Sequence, residues 1–186
     1  MKHLFWIASL LLVMTSCTMV TSKNIPGKRK SEFPKEMVGV YDLQYPESMS
    51  SLMDGAVGTK IEIKAKQLEM INSEGTNAMV LNDSIFLTTI KKDVYLCLGV
   101  EPNVTIFRMV KKGKDYELYG MWTDGNASLE DLKPFFTTIE AKPLETDDPE
   151  GNSDVVIEVT VDEKKLGSYF KSKFPSKEPF KLVRTN

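Results

Sequence analysis

Chemistry in this 186-residue chain would have to draw on a short inventory: two thiols, Cys17 and Cys97, one imidazole, His3, and the carboxylates, lysines and tyrosines. Histidine is the side chain most often poised near neutral pH, and Ser-His and Cys-His nucleophile pairs depend on it. His3 sits between Lys2 and an apolar run from Leu4 to Met14. A positive start followed by so short a run reads as a cleaved export signal, since a bilayer-spanning helix needs about 20 apolar residues. Removal of residues 1–16 leaves 170, one domain with a sizeable core, and that product has no histidine. Imidazole-based catalysis and imidazole metal sites are thereby excluded.

Cys17 is accounted for by its neighbours. The tetrad Met14-Thr15-Ser16-Cys17 resembles a bacterial lipobox, with Met14 in place of the usual leucine. The resemblance implies that the Cys17 thiol carries a diacylglycerol and becomes the first residue of the exported chain. Cys97 is then without a disulfide partner. It lies in the strand-like run Val94 to Gly99 and reads as an inert, buried packing group. Residues 17–32 contain Lys23, Lys28, Arg29 and Lys30 against the single acid Glu32, with Pro26, Gly27 and no apolar periodicity. They are expected to form a flexible, acylated tether whose charge favours anionic headgroups. The residues after Cys17 lack an acidic cluster, which points to outer-membrane attachment facing the periplasm.

Other constellations carry less. Asp147, Asp148, Glu150, Asn152 and Asp154 offer oxygen ligands, but not at the spacing of a calcium loop, so no metal is assigned. Gly55-Ala56-Val57-Gly58-Thr59-Lys60 lacks the Gly-Lys-Ser/Thr ending of a phosphate loop. Asp83-Ser84-Ile85 resembles a short bacterial O-glycosylation signal and makes Ser84 a glycan candidate. Hydrolysis by a pair of carboxylates, as in glycosidases, is a distant alternative, because no spacing nominates such a pair. No cofactor is implied. The body from Phe33 onward holds 19 of the 24 basic and 25 of the 26 acidic residues, a balance that offers nothing to nucleic acid.

The elements that must position any site are mostly strands. Eight alternating runs are expected at Val38–Gln44, Thr59–Ala65, Gln67–Asn72, Ala78–Leu81, Ser84–Ile90, Val94–Gly99, Val104–Lys111 and Tyr116–Trp122, divided by turn-forming Gly, Asn and Asp. Ser128 should then cap a short helix carrying Leu129, Leu132 and Phe136, followed by a strand at Thr137–Ala141. A second unit follows: strand Val155–Val161, a helix capped by Asp162 with Leu166, Tyr169 and Phe170 aligned, and strand Phe180–Arg184.

This order, with Phe33-Pro34-Lys35-Glu36-Met37 leading into Gly39-Val40-Tyr41, resembles the lipocalin-like lipoproteins common in Bacteroidetes over Phe33 to about Lys142. Tyr41 stands where lipocalins carry tryptophan. The resemblance implies a mainly β fold: a single eight-stranded antiparallel up-and-down barrel, with short C-terminal helices and extra strands as an extension. It also implies an interior lined by Tyr41, Ile63, Met70, Leu87, Leu98, Ile106, Leu118 and Trp122. If hollow, such a barrel holds one small apolar or amphipathic ligand at the membrane. If filled, it presents its outside to another envelope protein.

Overall fold

The computed structural model describes residues 18–47, 58–73, 75–82, 84–100, 103–123, 128–143, 155–172 and 178–185. Short alternating runs become strands, in chain order β1 (Thr18–Ser22), β2 (Lys28–Lys30), β3 (Gly39–Gln44), β4 (Lys60–Ile63), β5 (Gln67–Asn72) and β6 (Gly75–Val80). There follow β7 (Ile85–Ile90), β8 (Asp93–Val100), β9 (Asn103–Lys112), β10 (Asp115–Gly120) and β11 (Trp122–Thr123). The remainder comprises helix α1 (Leu129–Leu132), β12 (Phe136–Pro143), β13 (Val155–Val161), helix α2 (Glu163–Tyr169) and β14 (Phe180–Arg184). A 3-10 turn at Lys35–Met37 precedes β3. The fold is mainly β, a curled, largely antiparallel sheet with two short helices.

The helices begin where their caps require. Ser128 and Asp131 form a reciprocal capping box on α1, and the Asp162 side chain accepts from the Lys164 N–H at the start of α2. Leu132 of α1 and Leu166 and Tyr169 of α2 are buried in one core.

The connectivity departs from an eight-stranded up-and-down barrel. In that arrangement β10 would close on β3. Instead β14 lies between them, with Tyr116 opposite Leu182 and Tyr41 opposite Arg184. Among the described residues the other closure is also absent: the path ends at β6, and β7 pairs with β2 and β8. The C-terminal strands are therefore integral to the sheet rather than an extension of it. A strand that joins partners about 65 and 140 residues away leaves no trace in local periodicity.

The expected tether is also corrected. β1 pairs in parallel with β13 from Met19 opposite Val156 to Ser22 opposite Val159, and Val20 is fully buried. β2 pairs with the edge of β7, Lys28 opposite Thr89 and Lys30 opposite Leu87. The cause is unmet backbone and apolar surface on β13 and β7, which outweighs the polar, turn-rich composition of residues 18–32.

β9 is the branch point. Phe107 to Lys112 pair with β10, whereas Val104 lies opposite Ser22 of β1. Met121 makes the switch: its N–H donates to the Ile106 carbonyl at 2.9 Å and its carbonyl accepts from the Val20 N–H at 3.0 Å. The strand expected from Tyr116 to Trp122 thus breaks at Met121.

Two cores result, one on each face of β7, β8 and β9. Ile85, Leu87, Leu96, Phe107 and Met109 face Tyr41, Ile61 and Ile63 in the half-barrel core. Phe86, Tyr95, Cys97, Val104 and Ile106 face Val20, Ile157, Val159 and the two helices in the other. Double-sided burial explains why Ile85-Phe86-Leu87-Thr88 is continuously apolar or buried rather than alternating.

Candidate functional site

The half-barrel interior is occupied by its own side chains. Tyr41, Ile63 and Leu87 are fully buried there, and Met70, Leu98 and Leu118 are half-buried against the same core. Ile106 is not among them. It faces the second core, and Phe107 takes the inward place, because a shift of one residue exchanges the two faces of a strand. Trp122 lies on β11 with its backbone opposite Met19, and its side chain is outside the described residues.

Polar tips inside this core are satisfied internally. The Tyr41 hydroxyl donates to the Met37 carbonyl at 2.8 Å and the Tyr116 hydroxyl to the Glu36 carbonyl at 3.2 Å. Both acceptors belong to the 3-10 turn, which also buries Met37. Edge-on aromatic pairs, Tyr41 with Tyr116 at 5.9 Å and Phe107 with Phe180 at 6.4 Å, fill the space between the strands. Burial raises the Tyr41 hydroxyl above its ordinary pKa, so it remains a neutral donor.

Cys97 is fully buried in the second core, and desolvation pushes its thiol to about 12. Such a thiol is not a nucleophile at neutral pH. Ser84 is exposed just before β7, its backbone N–H bonded to the Asn82 side chain at 2.7 Å. Asp83, Cys17 and the acidic run from Asp147 to Asp154 lie outside the described residues, as do Gly55 to Val57 of the glycine-rich stretch. Among the described residues no group of three or more His, Cys, Asp or Glu is placed to hold a metal, and no helix is long and apolar enough to cross a membrane.

Cross-strand pairing does bring carboxylates together, which sequence spacing alone did not reveal. Glu62 lies opposite Glu69, and Glu140 opposite Glu158. Each pair has lysine between or beside its members. Lys64 reaches Glu69 at 2.6 Å and Glu62 at 3.7 Å, while Lys23 reaches Glu140 at 2.7 Å and Glu158 at 3.7 Å. The hydrogen bond from Lys64 lowers the Glu69 pKa, and that from Lys23 lowers the Glu140 pKa. With a lysine bridging their members, these pairs form ion-paired rungs of the sheet.

An open groove of about 580 Å³ lies outside both cores, lined by Gly27, Lys28, Thr89, Ile90, Lys91, Glu163 and Lys164. Three elements supply its lysines: β2, the two-residue turn between Ile90 and Asp93, and α2. Gly27 sits at φ +72°, where an added Cβ would lie 2.5 Å from the Thr89 carbonyl oxygen, so only glycine permits this approach. Its N–H donates to Glu163 Oε1 at 2.7 Å, tying β2 to α2. Lys91 holds φ +56° in the turn, a conformation usual for Gly or Asn. The sequence contains each lysine in plain view, but on segments read as tether, turn and helix, with nothing local to unite them.

Comparison with protein-family models, with curated proteins and with solved structures finds no match.

Proposed function

We propose that this chain is an envelope lipoprotein, held to the periplasmic face of the outer membrane by an acylated Cys17, whose sheet body is a non-catalytic interaction module for another envelope component. The lipobox tetrad supports the anchor. The filled interior supports the choice of module: Tyr41, in the place the lipocalin resemblance gives to the cavity lining, is fully buried with its hydroxyl engaged by Met37. A lipocalin-like barrel, opened between β6 and β7 and widened by β14, would on this reading serve as a scaffold rather than as a carrier of an apolar ligand. Binding then falls to the outer surface.

Two measurements test the reading. Cells grown with radiolabelled palmitate should yield a labelled chain, and Cys17→Ser should abolish the label; an unlabelled chain retaining residues 1–16 overturns the anchor. Mass spectrometry of the extracted protein should find no stoichiometric small apolar molecule beyond the anchor. A stoichiometric lipid that survives purification would return the half-barrel to a carrier role.

A further inference from the structure

The geometry points to the groove between β2, the β7–β8 turn and α2 as a binding site for an organic phosphate bearing two or more negative charges. Three lysines, Lys28, Lys91 and Lys164, line it with one acidic residue, Glu163. Among the described residues none of the three lysines forms an ion pair, although the body as a whole is acidic.

The nearby acids are already engaged. Glu163 accepts from the Gly27 N–H at 2.7 Å, Asp162 from the Lys164 N–H at 2.9 Å, and Asp93 binds Arg108 at 3.1 Å. Three lysines against the one lining carboxylate leave the groove with an excess of basic residues, an arrangement that attracts anions.

The residue types narrow the class. Lysine is a compact point charge with rotatable donors and a recurrent phosphate binder that needs no planar, bidentate match. Arg29, the arginine of β2, is instead stacked over the Phe86 ring at 4.0 Å. The lining adds half-buried Ile90, an apolar surface, which suits a phosphate joined to an organic group. The phosphate could belong to a lipid headgroup or to a soluble compound, and the site does not require the anchor.

The test uses the full chain in neutral detergent with two probes, pyrophosphate and short-chain dihexanoyl phosphatidic acid kept below micelle formation. Amide shifts in NMR titrations should concentrate at Gly27, Thr89, Ile90 and Lys91. The triple variant Lys28→Gln, Lys91→Gln, Lys164→Gln should weaken binding by about tenfold or more, as expected for the loss of charge-assisted contacts. A control with the same charge change at exposed Lys60, Lys111 and Lys181 should bind as wild type. Binding of the phosphatidic acid alone identifies a lipid headgroup as the source, and binding of pyrophosphate identifies a soluble phosphate. Absence of shifts with both probes, or equal weakening in the control, overturns the site. Because the shifts are read on the wild-type chain, misfolding of a variant cannot mask a negative result.

Discussion

The Lys142 ammonium lies 2.6 Å from the Glu158 carboxylate, joining a half-exposed residue of β12 to a carboxylate only 8% exposed on β13. Glu158 also stands opposite Thr21 of β1 and Glu140 of β12, so it is placed where three strands meet. Removing its nearer cation leaves Lys23, at 3.7 Å, as the remaining partner. Lys142→Met should therefore destabilise the protein by about 1–2 kcal/mol, the lower part of the range for breaking a buried pair because Lys142 is partly solvated. Combining it with Glu158→Met should restore most of the loss. Urea unfolding of the two variants measures both, and a double variant as unstable as the single one would show that the pairing itself was stabilising.

Stability should be flat across neutral pH. Glu69 and Glu140 have folded pKa values below 4.5, so their contribution is complete above that value and disappears as pH falls through the lower folded ones. Lys23 and Lys64, raised above 10.5 by the same hydrogen bonds, contribute fully below that value and lose their effect only as pH rises past it. No histidine follows His3. Thermal midpoints should form a plateau from about pH 5 to 9; a step near pH 6.5 would expose a strongly shifted group elsewhere.

Adjacent residues of β7 should both be intolerant of truncation. Phe86 points into one core and Leu87 into the other, and both are essentially inaccessible. Phe86→Ala should cost about 3–5 kcal/mol and Leu87→Ala about 2–5 kcal/mol. In a sheet with a solvated face one of the two would be nearly silent in chemical unfolding.

The segment after Cys17 should behave as core. Val20→Asn places an amide in a fully apolar position and should cost about 3 kcal/mol, and the Val20 and Lys23 amides, bonded to Met121 and Val159, should resist hydrogen exchange. Rapid exchange at both positions would restore the tether.

Lys91→Gly should have opposite effects on stability and binding. Relief of the φ +56° conformation should raise stability by about 1 kcal/mol, while loss of one cation weakens phosphate binding at the groove. Differential scanning calorimetry and the pyrophosphate titration, run on the same sample, separate the two.

What was legible in the sequence follows the range of the interactions involved. Gln67–Asn72, Val155–Val161 and Phe180–Arg184 appear as strands at the residues expected, and Ser128 and Asp162 cap their helices, because alternation and capping act over a few residues. Ile106 departs by one position from the lining the sequence suggests: with both faces of β9 buried, alternation gives no sign of which side is the half-barrel. The insertion of β14, the parallel pairing of β1 and the convergence of Lys28, Lys91 and Lys164 depend on contacts between distant segments, which carry no local mark.

Because β1 begins at Thr18, a lipid on Cys17 would be separated from the ordered sheet by a single peptide link. On the proposed anchor, such an attachment would have little play. The body would stand on the bilayer in a restricted orientation and at short range, and traction on the acyl chains would pass directly into the strand that joins β9 to β13.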